Sequence, residues 1–336
     1  MQVNAIVCEE IAEDIGSVGL QQIELPYPGP GQVRVRLKAC AVNFPDLLMI
    51  QGKYQFKPPL PFPPGGEAAG DIEACGPGVS FKEGDAVIVG MRYGGFAEAV
   101  VVDESQVKPL PKGMSYAKGA SYQTAYLTAY VALKRRGYLE QGETLLVHGA
   151  TGGVGMAAVD LGKHFGAKVI GTGGRDDKLA VVASRGADHV INYTMEDGGL
   201  GGFRDAVKAF TDGRGADVIY DPVGGDVFDE SMRCINWGGR ILSIGFTSGR
   251  WPQAPVNLIL IKQISVIGVR AGEYGRQDPV KGLENAQRLY AMAEAGEIDP
   301  YISHALPLEK AVEAMRLLEQ RQVVGKAVVT MNGYQM

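Results

Sequence analysis

The stretch of residues 144–166 constrains the fold of this chain more than any other. It opens with a short apolar run, Thr144 to Val147, which is typical of a buried parallel strand. A glycine-rich turn follows, and beyond it apolar residues recur at helical spacing until Gly166, where a helix end favours a left-handed residue. A strand, a glycine turn and a helix in this order form the context of a dinucleotide fingerprint, because bare helix amides can bind a pyrophosphate.

The turn departs from the G-x-G-x-x-G fingerprint at one position. Gly152 and Gly155 match its last two glycines, whereas Ala150 stands at the first. An ordinary strand-to-helix turn is the alternative interpretation, but the full series of strand–helix repeats that follows favours a dinucleotide site. The predicted cofactor-binding residues of the turn are Ala150, Thr151, Gly152, Gly153 and Val154.

Length and composition limit the possible classes. With 336 residues the chain is long enough for two domains, and a net charge of −5 without a basic stripe argues against nucleic acid or an anionic membrane as partner. The N-terminus has no signal-peptide pattern, and no run approaches a membrane span. The scattered cysteines predict neither a disulfide framework nor a zinc knuckle, so we expect a cytoplasmic protein; they are Cys8, Cys40, Cys75 and Cys234.

Two patterns divide the chain. Up to about Val102, short alternating strands such as Gln32–Ala39 are separated by Pro/Gly turns, which is typical of a β-barrel-like unit. A helical period follows from Ala117 to Leu133, and a strand–helix series then predicts a doubly wound parallel six-stranded sheet, hence an α/β fold. Segments 51–63 and 251–261 are interpreted as loops. The predicted strands of the series are Thr144–Val147, Lys168–Thr172, His189–Asn192, Ala216–Tyr220, Arg240–Ile244 and Ile264–Val269.

Further motifs are Ala41–Asp46, Gly52–Tyr54, Pro64–Gly70, Phe81–Asp85, Thr128–Tyr130 and Gly152–Gly155. Together they resemble the zinc-independent NADPH:quinone oxidoreductase (zeta-crystallin-like) family of the medium-chain dehydrogenase/reductase superfamily. The resemblance covers nearly the whole chain. It implies a GroES-like β-rich catalytic domain of residues 1–122 with 271–336, and a Rossmann NADPH-binding domain of residues 123–270.

The resemblance also bears on metal binding. In the zinc-containing branch of the superfamily, the positions of Asn43 and Gly66 hold a cysteine and a histidine, both zinc ligands. Neither an asparagine nor a glycine replaces those ligands on zinc. We therefore predict a site without metal.

The end of the second Rossmann strand predicts the cofactor. An NAD enzyme usually has Asp or Glu about 20 residues past the fingerprint to bind the ribose 2′-hydroxyl, whereas this chain has Gly173-Gly174. Arg175 and Lys178 can pair with a 2′-phosphate, and by resemblance Lys178 and Tyr193 match family positions that do so. Asp176 and Asp177 count against a phosphate site, because their charges would lie beside the phosphate. The alternative interpretation is that Arg175 and Lys178 are ordinary solvated residues at a helix start. The sequence favours NADPH.

The predicted catalytic residues lie in the first domain. By resemblance, Asn43, Asp46 and Tyr54 line the substrate side of the nicotinamide. Asn43, Pro45 and Asp46 also fit an ordinary helix start, which is a compatible structural interpretation. One departure concerns Met49–Gly52, where many family members carry an arginine, so the polarity of the pocket mouth stays open.

The other expected cofactor contacts follow from the resemblance alone. Tyr130 belongs to a motif that lies near the nicotinamide in the family, although packing at the domain junction is its simpler interpretation. Arg321 resembles a residue near the adenine-phosphate end of the cofactor, with an ordinary surface arginine as the alternative. We expect His148 to end a strand rather than act as an acid or base. The additional residues implied as cofactor-binding are Thr128, Gly174, Gly245, Phe246, Thr247 and Arg321.

With no metal and no nucleophile–base pair in the pattern, the predicted reaction is direct hydride transfer from NADPH to a polarised acceptor, and the resemblance implies that this acceptor is a quinone. One alternative is an enoyl reductase, for which Lys53, Lys57 and Arg92 would bind a coenzyme A phosphate. Another is a non-catalytic NADPH-binding or RNA-associated protein, which the acidic balance disfavours. The last strand, Ile264–Val269, is expected at a sheet edge and predicts a homodimer.

Overall fold

The computed structural model describes residues 1–195 and 199–336, which form two compact units. The first comprises residues 1–123 and 293–336, and the second comprises residues 124–292. Residues 271–292 therefore group with the second unit, whereas the sequence placed them with the first domain; the functional boundary at residue 271 stays a prediction. Among the residues described, no helix has the length and apolar character that a membrane span requires.

The secondary structure follows the predicted division into a strand-rich part and a strand–helix series. The described strands are β1 (Gln2–Val7), β2 (Gly19–Glu24), β3 (Gln32–Val42), β4 (Glu67–Cys75), β5 (Ala86–Gly90), β6 (Ala99–Asp103), β7 (Val107–Pro109), β8 (Thr144–Val147), β9 (Lys168–Gly173), β10 (His189–Asn192), β11 (Ala216–Asp221), β12 (Ile235–Ser243), β13 (Ser265–Gly268), β14 (Ile302–Pro307) and β15 (Lys326–Thr330). The described α-helices are α1 (Phe44–Ile50), α2 (Tyr116–Tyr130), α3 (Gly153–His164), α4 (Asp176–Ser184), α5 (Phe203–Phe210), α6 (Gly225–Cys234), α7 (Val256–Lys262), α8 (Ala271–Gln277), α9 (Pro279–Glu294) and α10 (Ala311–Glu319).

The first unit is built mainly from antiparallel strands. Its larger sheet has the order β14-β15-β3-β4-β5-β7, with β6 also paired to β3, and β1 pairs with β2 separately. Val33, Val35 and Leu37 alternate along β3 and are fully buried, as the two-residue period of a strand with one face on a core requires. Helices α1 and α10 pack on the same core through residues such as Leu47 and Met315. The predicted GroES-like β-rich fold is confirmed.

The second unit contains six parallel strands in the order β10-β9-β8-β11-β12-β13. Counted from β8 as the first, this is the order 3-2-1-4-5-6 of a doubly wound dinucleotide-binding sheet. The predicted six-stranded parallel sheet is confirmed, and the predicted strands Thr144–Val147 and His189–Asn192 match β8 and β10 at both ends. The strand order reverses between β8 and β11, so a binding crevice is expected at their carboxyl ends.

One predicted loop was wrong. Within segment 251–261 the chain forms α7, which begins after Pro255 and ends with Lys262. Its apolar residues Leu258 and Ile259 pack against the core of the second unit. Three of the seven residues of α7 are β-branched, so the helix propensity of this short segment is modest and the packing of one face stabilises the helix.

Candidate functional site

The glycine turn after β8 has the geometry that close approach of a phosphate needs. Gly149 is left-handed, with φ of +56°, and a Cβ at Gly155 would collide with the Gly149 carbonyl oxygen. Helix α3 starts at Gly153, and its first backbone hydrogen bond is donated by the Met156 N–H to the Gly152 carbonyl. The preceding N–H groups of the first turn are therefore available to an anion.

The broken first position of the fingerprint has a structural explanation. Ala150 is fully buried, and its N–H donates to the Thr172 carbonyl at 2.9 Å, which ties the turn to β9. Its methyl group therefore faces the protein interior, and the left-handed conformation falls one residue earlier, at Gly149. The turn thus fits a pyrophosphate despite the missing glycine.

The turns that follow β11 and β12 lie beside the glycine turn that follows β8. A carboxylate oxygen of Asp221 accepts the N–H groups of Val223 and Gly224, at 2.8 and 2.9 Å, and so fixes the first of these turns. Burial raises the pKa of Asp221 to about 6, although both amide donors oppose the rise. Thr247, in the predicted loop Gly245–Thr247, donates its N–H to the Pro222 carbonyl at 3.1 Å.

At the end of β9 there is little room for a side chain. A Cβ at Gly173 would lie 3.0 Å from Thr151 Cγ2, and a Cβ at Gly174 would lie 2.9 Å from Thr194 Oγ1. An Asp or Glu at either position would displace these neighbours. The predicted residue Tyr193 is adjacent, since its N–H donates to the Gly173 carbonyl at 3.0 Å.

The two predicted phosphate-binding cations differ in environment. The Arg175 guanidinium binds Asp177 through two bonds of 3.0 and 2.7 Å, and both side chains are exposed. Lys178 is buried at 7% exposure, so it does not merely decorate a solvated helix start. Burial lowers the pKa of Lys178, and the nearby Arg175 charge lowers it further. A phosphate dianion beside Lys178 would act in the opposite direction, because it favours the charged ammonium.

In the first unit, the start of α1 holds two of the predicted catalytic residues. Asn43 is the N-cap and Asp46 the third helical residue, so the predicted helix start is present. One Asp46 carboxylate oxygen accepts the Asn43 N–H at 2.8 Å, and the other accepts the Gly65 N–H at 3.2 Å. The Asn43 side chain is directed elsewhere, to Glu67 and Lys326.

Glu67 and Lys326 complete a polar cluster that was not predicted. Lys326 Nζ lies 3.0 Å from Glu67 Oε1 and 2.6 Å from Asn43 Oδ1, and Asn43 Nδ2 donates to Glu67 Oε1 at 3.0 Å. Strand register creates the cluster, because β15 pairs Ala327 with Val42 and thereby places Lys326 beside the end of β3.

A signal for one of these residues was visible. Glu67 is a carboxylate within a run of small apolar residues, Gly65 to Gly70, at the start of a buried strand. Lys326 has no local signal, since its partners Asn43 and Glu67 lie 283 and 259 residues away in the chain.

The buried cluster perturbs Asp46. Burial raises the pKa of Asp46 to about 7, and the Glu67 carboxylate adds to the rise. The amide donors of Asn43 and Gly65 and the Lys326 ammonium oppose it. Asp46 is therefore a carboxyl group that changes its protonation near neutral pH.

Tyr54 follows in a loop with aromatic neighbours. It is half-buried against the core of the first unit, as is Phe56. The Phe56 ring stacks on Tyr93 at 6.2 Å between centroids, and the Arg92 guanidinium lies 4.5 Å from the Phe56 centroid. The predicted catalytic residues Asn43, Asp46 and Tyr54 thus belong to one unit, and hydrogen bonds join the first two.

His148 is structural, as expected. Both ring nitrogens lie 2.8 Å from hydroxyl oxygens, Nδ1 from Thr172 and Nε2 from Ser231. Ser231 donates its single hydroxyl hydrogen to the Val227 carbonyl at 2.7 Å, so Nε2 must donate to Ser231 and Nδ1 must accept from Thr172. Burial lowers the pKa of His148 to about 3, and the ring stays neutral.

The other predicted contacts are less closely connected to these turns. Thr128 donates its hydroxyl to the Thr124 carbonyl at 2.7 Å, within α2. Tyr130 makes an edge contact with Phe165 at 6.2 Å, which agrees with its packing interpretation. Arg321 belongs to the first unit and has a left-handed backbone after α10, with φ of +57°. Their roles at the cofactor stay predictions.

Comparisons with known proteins agree with this geometry. Residues 29–112 match the family model of the alcohol dehydrogenase GroES-like domain, and residues 153–298 match that of the zinc-binding dehydrogenases. A quinone oxidoreductase-like protein 2 homolog from Nematostella vectensis is 39% identical over 329 residues, which cover 97% of this chain and 88% of that protein. The chain belongs to the medium-chain dehydrogenase/reductase family, quinone oxidoreductase type. It is thus an oxidoreductase of that family.

Solved structures of this medium-chain reductase type are similar over the whole length. An NAD-dependent alcohol dehydrogenase has a TM-score of 0.86 at 31% identity, covering 98% of this chain and 100% of the other. A mycobacterial protein solved in complex with NADPH also has a TM-score of 0.86, at 28% identity, covering 97% and 99%. One of these similar proteins is thus named as NAD-dependent, and the other was solved with NADPH.

Proposed function

We propose that this reductase transfers a hydride from NADPH to quinones without a metal ion. The observation that carries the proposal is the end of β9, where Gly173 and Gly174 leave little room for an acidic side chain and Lys178 follows in the first turn of α4. An acidic residue there would bind a ribose 2′-hydroxyl and repel a 2′-phosphate. The names of the quinone oxidoreductase-like relatives support the acceptor class.

The cofactor fits the residues after β8 and β9. The amides of Gly153 and Val154 would bind the pyrophosphate, and Lys178, Arg175 and Tyr193 would surround the 2′-phosphate. Arg175 must exchange Asp177 for the phosphate, and both groups are exposed, so the exchange costs little. The bound nicotinamide supplies the hydride. We keep Thr128, Gly245–Thr247 and Arg321 as further proposed contacts.

Asn43, Asp46 and Tyr54 would act on the acceptor. A quinone gains aromaticity on reduction and needs little acid catalysis, so these residues mainly orient it and exclude water. The absence of metal is supported by the cation already present, because the Lys326 ammonium bonds to the Asn43 side chain at the position of a zinc ligand in the zinc branch. Within the described residues, no three His, Cys, Asp or Glu side chains cluster for a metal.

The test is NADPH consumption by the purified protein with benzoquinone, with crotonyl-CoA, and with NADH as control donor. The proposal expects turnover of the quinone with NADPH and much slower turnover with NADH. A preference for the thioester would assign enoyl reduction instead. Equal use of both donors would show that the interpretation of Gly173, Gly174 and Lys178 is wrong.

Enoyl thioester reduction is the second candidate because of three exposed cations. Lys53, Lys57 and Arg92 are exposed and, within the described part of the chain, form no ion pair; the Arg92 guanidinium lies 4.5 Å from the centroid of Phe56. Such cations suit the phosphates of coenzyme A. Crotonyl-pantetheine, which lacks the nucleotide phosphates, separates the candidates. An enoyl-CoA reductase that binds these phosphates would use it far less well than crotonyl-CoA.

We also propose a homodimer. Strand β13 is an edge of the six-stranded sheet, and Val266 on this strand is 37% exposed. Leu260 and Ile261 of the preceding α7 are exposed apolar residues as well. Pairing of β13 with its equivalent in a second copy would cover these groups. A monomeric mass by light scattering at micromolar concentration would contradict the dimer.

We also propose that the protein functions in a reducing compartment such as the cytoplasm. Cys8, Cys40, Cys75 and Cys234 are all free thiols. Burial raises the pKa of Cys40 and Cys8, which keeps these thiols protonated and slow to oxidise.

A further inference from the structure

The Asn43 side chain forms hydrogen bonds with both members of a buried ion pair. The side chains of Lys326 and Glu67 are only 6% and 1% exposed. Asn43 Oδ1 accepts from the ammonium at 2.6 Å, and Asn43 Nδ2 donates to the carboxylate at 3.0 Å. The three residues come from separate elements, the cap of α1, the start of β4 and the start of β15.

The ion pair selects one orientation of the amide. If the Asn43 carboxamide were flipped, Oδ1 would face the Glu67 carboxylate and the NH₂ group would face the Lys326 ammonium. Both contacts would be repulsive, because the carboxylate accepts only and the ammonium donates only. Lys326 and Glu67 therefore determine which face of Asn43 is a donor.

One polar hydrogen of the amide is left over. Nδ2 carries two hydrogens, and one is used by Glu67. In the described residues the second has no protein partner, and Asn43 is half-buried whereas Glu67 and Lys326 are buried. The contact of Lys326 with Oδ1 polarises the amide and strengthens this remaining N–H as a donor.

A buried ion pair is poor support for stability as such. Its desolvation roughly offsets its attraction, and an apolar pair of similar volume is often no less stable. The specific result of placing this pair here is the fixed orientation of Asn43.

We propose that Lys326 and Glu67 are positioning residues that hold Asn43 as a hydrogen-bond donor to the carbonyl oxygen of the acceptor. The inference rests on the proposed function. When the acceptor takes up a hydride, which is two electrons and one proton, a quinone becomes the hydroquinone monoanion and its oxygen gains negative charge. The Asn43 N–H stabilises that charge, and a proton from solvent completes the hydroquinone.

A double-mutant cycle tests the proposal. Lys326→Met should lower kcat/KM for the acceptor by about 10- to 100-fold, which is less than the roughly 100- to 1,000-fold loss of a whole preorganised donor because Asn43 itself remains. In the Asn43→Ala background the same substitution should have an effect below about threefold, because Lys326 acts through Asn43. Independent, multiplying losses would overturn the inference.

Matched controls separate positioning from general damage. Lys326→Arg keeps a donor to both partners and should recover most of the activity. Lys38→Met removes a half-exposed cation from β3, where Lys38 pairs loosely with Asp71 at 3.8 Å, and should leave kcat/KM unchanged. The NADPH dissociation constant should stay within about twofold in all variants, whereas parallel losses of cofactor binding would indicate structural damage and contradict a positioning role.

A second measurement does not depend on the reaction or on the single lysine variant. If Lys326→Met leaves Glu67 uncompensated and unfolds the protein, the neutral pair Glu67→Gln/Lys326→Met replaces it in the cycle. In ¹⁵N-asparagine-labelled protein, the proposal predicts two strongly inequivalent Asn43 amide hydrogens that become more alike in Glu67→Gln. Unchanged hydrogens would refute the orientation argument. An inactive wild type with the predicted spectrum would refute the proposed function alone.

Discussion

The carboxyl group of Asp46 predicts an unusual dependence of stability on pH. It is 1% exposed, and burial raises its pKa to about 7 from an ordinary 3.8. Between these values the folded protein retains a proton that the unfolded chain releases. Because the folded state binds more protons there, this group lowers the free energy of unfolding as pH rises from about 4 to about 7. The full difference corresponds to about 4 kcal/mol.

Asp46→Asn isolates this contribution. The amide is neutral at every pH, so the stability of the variant relative to wild type should increase by up to about 4 kcal/mol between pH 4 and pH 8. Loss of one of the two amide bonds to Asn43 or Gly65 adds a cost that does not depend on pH. Ionisable groups that do not interact with Asp46 cancel in the difference.

The assay is urea unfolding at fixed ionic strength across this pH range. Asp212→Asn serves as the control, since Asp212 is an exposed carboxyl group at a left-handed position where Asn is tolerated. Its stability difference from wild type should stay flat. If the difference for Asp46→Asn also varies by less than about 1 kcal/mol, the carboxyl group ionises normally and the argument from burial is wrong.

Further outcomes follow from the same structure. Lys178→Met should raise the dissociation constant of NADPH by about 10- to 100-fold and that of NADH little, by fluorescence titration; equal losses would contradict a 2′-phosphate contact. Gly155→Ala, whose methyl group meets the Gly149 carbonyl, should cost about 1–3 kcal/mol of stability and abolish dinucleotide binding. Gly152→Ala, with its nearest neighbour at an ordinary 3.5 Å, should cost less stability, and a reversed order would refute the packing argument. Because burial lowers the pKa of His148 to about 3, wild type should lose about 2 kcal/mol more than His148→Gln on going from pH 7 to pH 5, as the unfolded imidazole gains a proton; parallel urea curves would contradict this.

Sequence patterns predicted the second unit well because its signals are local. The parallel strands are short apolar runs between glycines, so β8 and β10 were found at their true ends. Helix α7 was missed because its β-branched residues Val256, Ile259 and Ile261 weaken the helix preference of a short segment, and the packing of Leu258 and Ile259 stabilises the helix.

The candidate site was predicted only in part. Asn43 and Asp46 were proposed from the family resemblance, and only the helix start that they form was predicted from a local pattern. The ion pair was not, since Glu67 and Lys326 meet only through strand pairings between distant parts of the chain. Likewise, the direction of the Asn43 amide depends on these two residues and not on the cap.

The most direct test of the account is a single turnover of chelator-treated protein with benzoquinone, comparing NADPH with cofactor deuterated at the transferred position of the nicotinamide. The account predicts NADPH oxidation that is slower with the deuterated cofactor and unaffected by the chelator. Oxidation that stops with the chelator and returns with zinc, or no oxidation in the presence of the quinone, would contradict it.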